Sequence, residues 1–166
     1  MGMSVNYIVL ILIWVLGILS YILFVPQNRR RRFLFAFLLC QMFTWFSSLV
    51  HVKFHLLSFP VREFPKATEM LLTTAFFLYP LLCGFYIIFE PPRSFMIRAG
   101  YLTIWCFIVV ILDVAFVKFT NLVVYAHYAW YFTWLNTFCI AVIVNVTTRW
   151  FFKSKELLQR GQESVR

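Results

Sequence analysis

Charge is scarce in this chain: Asp, Glu, Lys and Arg make up 13% of its 166 residues, about half of what a soluble domain carries. Glycine is scarce too, with five residues and no GxxxG pair, so close helix–helix contact of that type is not signalled. The four cysteines, Cys40, Cys83, Cys106 and Cys139, fall in four different apolar runs without CxxC or Cys/His spacing. That pattern supports neither zinc nor a disulfide framework, and leaves small buried hydrophobes. The chain has no HExxH, no glycine-rich phosphate loop and no Ser/His/Asp constellation. No catalytic residue, cofactor or metal is therefore expected. Internal repeats of the kind many transporters carry are also absent.

What the chain has is apolar surface. Hydrophobic residues make up 63% of it and aromatic ones 21%, with a mean hydropathy of +0.84. No water-soluble fold hides this much, so lipid is the expected solvent. Five apolar runs, at about 5–25, 33–55, 69–89, 99–118 and 130–152, predict an all-α membrane protein. Its fold class is a bundle of five transmembrane helices in a single domain, 1–152, followed by a polar cytoplasmic tail, 153–166. The first run is read as a helix and not as a cleaved leader, because its basic residues follow it and no A-x-A site is present. Pro26 ends it. Pro80, inside the third run, removes an amide donor and crowds the carbonyl four residues earlier, which predicts a kink.

The net charge of +9 sits between the apolar runs, where it orients helices and meets anionic headgroups. No nucleic-acid partner is expected, since no recognition motif accompanies it. Lys and Arg at the span ends divide eleven against four, which predicts the N-terminus outside and the C-terminus inside. The quartet Arg29, Arg30, Arg31 and Arg32 dominates this count and is assigned to topology and lipid headgroups on the cytoplasmic face.

Asp113, late in the fourth run, is the residue that asks for an explanation. A charge in hydrocarbon costs about 2.5–3.5 kcal/mol on insertion scales, so neighbouring spans must compensate. Three readings stand: a structural carboxyl that fixes packing, a ligand, ion or proton site, and a neutral protonated acid. Gln41, Thr44, Ser48, His51 and His55 recur at steps of three and four, on one face of the second helix. Thr133, Thr137, Ala141, Asn145 and Thr148 form a second stripe on the fifth. In the predicted topology the three histidines, His51, His55 and His127, and Asp113 lie toward the outer face, where they and the stripe can form an outward-opening pocket. An aromatic cluster that includes Tyr125, Tyr128, Trp130 and Trp134 covers them, either as an interfacial belt or as a pocket roof. His51 and His55 have the spacing of metal ligands, with His127, Glu63 or Glu69 as a third, yet hydrogen bonding is the simpler reading and no metal is assigned. The Asn145-Val146-Thr147 sequon falls inside a helix and is not read as a glycan site. The candidate ligand or ion pocket is Asp113, Gln41, Thr44, Ser48, His51, His55, His127, Trp130 and Trp134.

The segments LYPLLCGFYIIFEPP (Leu78 to Pro92), YLTIWCFIVVILD and YAHYAWYFTWLN are similar to a family of small multi-span membrane proteins without an assigned activity. These occur mainly in endospore-forming Gram-positive bacteria. Asp113, Tyr125, His127, Trp130 and Trp134 stand where that family places an acid and a Tyr/His/Trp-rich connection. Where the family has a Gly-Asp pair in the second span, this chain has the Gln41–His55 stripe. The resemblance implies a multi-pass protein of the bacterial plasma membrane and supplies no catalytic residue. The expected function is non-enzymatic: binding of a small ligand, lipid or cation in an outward-facing polar pocket, as a sensor or accessory subunit. The alternatives are a small proton-coupled transporter and a membrane-embedded lipid-modifying enzyme using Asp113 and a histidine. Expected partners are the bilayer and either a second copy or another membrane protein.

Overall fold

The computed structural model of the chain describes the backbone of residues 3–58, 70–91, 94–120, 124–125 and 129–163. The long elements are helices: α1 (Met3–Phe24), α2 (Arg30–Lys53), α3 (Tyr79–Phe89), α4 (Phe95–Phe119) and α5 (Trp130–Glu163). A 3-10 turn, Gln27–Arg29, joins α1 to α2. A π-helical turn, Thr73–Leu78, runs directly into α3. Two-residue strands, β1 (Leu57–Ser58) and β2 (Val124–Tyr125), pair antiparallel with Leu57 opposite Tyr125.

Four helical stretches are long and apolar enough to cross a membrane: Asn6–Phe24, Gln27–Lys53, Phe95–Phe119 and Trp130–Lys153. The expected third span is shorter. Thr73–Phe89 reaches about 25 Å at 1.5 Å per residue, against a hydrocarbon core of about 30 Å. Large apolar side chains cover the outside of the bundle, among them Ile8, Leu23, Phe46, Ile104 and Val146, each more than 60% exposed. Such a girdle is untenable in water and ordinary in lipid. The protein is thus an all-helical membrane protein.

The main core draws on α2 to α5. Ala36 and Cys40, Cys83, Tyr86 and Ile87, Leu102 and Cys106, and Ile140, Ala141 and Val144 pack into one buried cluster. α1 contributes nothing to that cluster and docks from outside. Trp14 stacks on Phe77 with ring centroids 4.1 Å apart, and its indole donates to Thr73 Oγ1 at 2.9 Å. Gly17 permits this approach, since a Cβ there would lie 2.4 Å from the Phe77 ring. Gly84 does the same for Phe33, whose ring would meet a Cβ at 2.6 Å.

Several helix boundaries differ from those the sequence predicts, and three of them bear on the site and the tail. α2 begins at Arg30, inside the arginine quartet, because only Pro26 interrupts the chain there and the 3-10 turn lets the helix restart at once. α5 continues to Glu163, through most of the expected tail. At its other end α2 stops at Lys53, not at 55. His55 has φ 54°, the Leu56 amide donates to the His51 carbonyl, and the His55 amide donates to the Val52 carbonyl. These are the two bonds of a Schellman cap, with His55 in the left-handed position that glycine fills best. A β-carbon there costs about 1–2 kcal/mol. His55→Gly is therefore expected to raise stability in detergent by about 1 kcal/mol, measured by denaturant titration; a loss of stability would mean that the imidazole itself is needed.

At Pro80 the structure shows a change of helical register. Proline has no amide hydrogen and crowds the carbonyl of Phe76, so the preceding turn widens to the π register, with the Tyr79 amide bonded to the Thr74 carbonyl. In that register the Ala75 carbonyl is the one Pro80 would have served. Thr44 of α2 takes over: its Oγ1 donates to Ala75 O at 2.7 Å, as well as lying 2.9 Å from Cys40 O in its own helix. A break in α3 is thereby satisfied by a side chain of α2, the condition on which irregular backbone survives away from water.

Candidate functional site

Asp113 is buried, 5% exposed, and both of its carboxylate oxygens accept hydrogen bonds. Tyr79 Oη donates to Oδ1 and Thr133 Oγ1 to Oδ2, each at 2.8 Å. The π turn and α3 bring Tyr79, and the polar stripe of α5 brings Thr133, so the acid is held by hydroxyls from two other helices. Hydrogen bonds from two hydroxyls offset part of the cost of placing the group in the bundle.

Asp113 lines a cavity of about 80 Å³ in the middle of α2 to α5. On the α2 side the wall runs from Cys40 to His51, about 16 Å along the helix axis. Its polar groups are Thr44, Ser47, Ser48 and His51 from α2, Thr74 and Tyr79 from the π turn and α3, and Thr133, Asn136 and Thr137 from α5. Cys40, Cys83, Trp105, Val109 and Ile140 supply apolar wall. Ser47 ties two helices together: its hydroxyl donates to Asn136 Oδ1 at 2.8 Å, and its carbonyl lies 2.6 Å from His51 Nδ1.

Of the residues the sequence assigns to a pocket, Asp113, Thr44, Ser48 and His51 share this cavity. Gln41 is half-buried and does not line it. His55 is exposed beyond the end of α2. Trp130 is exposed, and Trp134 packs against Phe107 and Phe138 away from the wall. His127 lies outside the described residues, as do Glu63, Glu69 and Tyr128. Ser47, Tyr79 and Asn136 line the cavity without having been singled out. The helical period carried a signal for Ser47, one step from Ser48 and four from His51.

A second polar centre closes the opposite end of the core. Glu90, immediately after Phe89, has a side chain 3% exposed and receives three donors. Arg149 Nη2 lies 2.6 Å from Oε2, while Arg98 Nε and Asn145 Nδ2 reach Oε1 at 3.0 and 2.9 Å. Asn145 also donates to Tyr86 Oη at 2.7 Å, which links this centre to the cavity wall. Burial alone would raise the Glu90 carboxyl; the bonds from Arg149, Asn145 and Arg98 outweigh it and hold the group below its ordinary value of 4.5. At the same end Arg29 Nη1 donates to Ile88 O at 2.6 Å, capping α3 from outside, whereas Arg30 and Arg31 are exposed. Among the described residues no group of three metal-ligating side chains converges.

No family model, curated protein or solved structure matches this chain.

Proposed function

We propose that the chain is a five-span protein of the bacterial plasma membrane, with the N-terminus outside and the C-terminus inside. It binds a small ligand in the α2–α5 cavity, as a sensor or accessory subunit and without turnover. The observation that carries this is Asp113: a buried acid held by two hydroxyls on the wall of a cavity among four helices. Intramembrane acids placed in this way are associated with ligand and ion sites. The orientation is supported by Arg29, Arg98 and Arg149, which gather at the Glu90 end together with the rest of the arginine quartet. With Arg31→Cys, a membrane-impermeant maleimide is expected to label the protein only after lysis; labelling of intact cells reverses the orientation.

Binding is tested by thermal shift of the purified chain against a panel of polyols, amines, carboxylic acids and amino acids. At least one class is expected to give a saturable upward shift that Thr137→Trp or Ser48→Phe, each filling the cavity, removes. If no class shifts the wild type, the binding reading fails.

A second reading, transport, is favoured by the π turn. A spanning element broken beside a cavity is a recurrent feature of transporters. In liposomes, solute-driven proton flux that Asp113→Asn abolishes while leaving the fold intact would select this reading over static binding.

A further inference from the structure

The hydrogen bonds in the cavity divide its polar atoms into those already committed and those available, and the division points to one class of ligand. A carbonyl can only accept, so the 2.6 Å contact of His51 Nδ1 with Ser47 O places the hydrogen on Nδ1. The Ser47 hydroxyl, 3.2 Å from the same nitrogen, then cannot donate to it and donates to Asn136 at 2.8 Å. The Asn136 atom facing Ser47 is the amide oxygen, and that assignment sets the orientation of the carboxamide. Its Nδ2 keeps two hydrogens with no protein acceptor among the described residues. The Ser48 and Thr137 hydroxyls on the same wall also have no side-chain hydrogen bond among them.

Three ligand classes can be weighed against these atoms. An anion would meet Asp113 and, among the described lining residues, no Lys or Arg. An ammonium would be drawn to Asp113, whose two oxygens already accept from Tyr79 and Thr133, but it has only donors to offer and the Asn136 amide presents donors in return. A neutral hydroxylated molecule does both. Its oxygens accept from Asn136 Nδ2, its O–H groups reach Ser48 and Thr137, and its C–H edges lie against Trp105. A water-sized group needs roughly 10–15 Å³ of such space, so about 80 Å³ admits on the order of five to eight non-hydrogen atoms.

We propose that the cavity takes a compact neutral polyol, between glycerol and erythritol in size, and that Asn136 sets this preference. The inference rests on the binding reading above. The adjacent hydroxyls can come from a free polyol or from the glycerol end of an uncharged lipid.

The test uses the full chain in a polyoxyethylene detergent, which carries neither a sugar nor an amine. Erythritol, methylammonium, acetate and a 1-monoacylglycerol are titrated against tryptophan fluorescence and thermal shift. Erythritol is expected to bind saturably. Asn136→Asp, which keeps the acceptor for Ser47 and replaces the free amide with a carboxylate oxygen, should weaken erythritol about tenfold or more and gain methylammonium binding. That reversal is not a consequence of lost packing. If this variant fails to fold, Ser48→Ala is expected to weaken erythritol several-fold while leaving the melting temperature of the empty protein unchanged. Saturation by the monoacylglycerol alone keeps the class and assigns the hydroxyls to a lipid. Wild-type preference for methylammonium or acetate, or an Asn136→Asp protein that binds erythritol as before, overturns the inference and leaves the binding reading standing. Silence from these probes and from the wider panel overturns both.

Discussion

Glu90→Ala is expected to lower unfolding stability in detergent by about 3 kcal/mol. Removing one partner of a buried ion pair typically costs 3–5 kcal/mol, because the other charge is left uncompensated. The lower end applies here, since the Arg98 and Arg149 side chains are 28% and 37% exposed and can turn partly to water. Asn145 cannot, being 6% exposed, and its amide loses the Oε1 acceptor. The carboxyl is held below 4.5 in the folded protein, so its contribution is complete above that pH. It is lost as pH falls through the ordinary value toward the depressed one. Denaturant titrations from pH 7 downward should show the gap between wild type and Glu90→Gln narrowing below about 4.5. A gap that stays constant with pH would mean that the carboxylate charge is not what holds α3, α4 and α5 together at this end.

The second large effect lies at the π turn. Thr44→Val keeps shape and volume and removes the donor to Ala75 O, leaving a buried carbonyl without the bond that Pro80 cannot make. An unsatisfied buried group of this type costs about 1–3 kcal/mol, and about 2 kcal/mol is expected because the site is within the bundle. Thr44→Ser, which retains the hydroxyl, should cost less than about 0.5 kcal/mol. The decisive measurement is a double-mutant cycle with Pro80→Ala. Restoring an amide at position 80 supplies Ala75 O from within α3, whether the turn stays π or returns to α. The penalty of Thr44→Val should then shrink by about 1 kcal/mol or more. An additive cycle would separate the Thr44 bond from the proline and undo this account of the turn.

Much of the helical arrangement can be read from hydropathy because lipid forces every backbone group to be satisfied within its own segment. The exceptions are places where side chains from different spans complete one another. Pro80 signals a break, and the sequence does not say that Thr44 will mend it. Asp113 demands donors, and two that the described residues supply are hydroxyls: Thr133, already on a polar stripe, and Tyr79, whose aromatic ring hides it in an apolar run. Glu90 is masked by its neighbours, since Glu-Pro-Pro-Arg looks like a helix stop and the fourfold spacing of Asn145 and Arg149 is meaningful only once α5 is known to face α3. His55 continues the period of α2 by count alone. A periodicity argument cannot detect that the helix has closed with a left-handed residue.

The outlying position of α1 bears on the order in which the chain is made. Most of the surface against which it docks, Met70, Leu71, Thr73, Phe77 and Leu81, is synthesised long after α1 has left the ribosome. Until then α1 lacks the larger part of its docking surface, and it is the most apolar of the four long candidates, with no charged residue along its length. The later segments, which carry acid, amide and imidazole groups, emerge when companions already wait beside them.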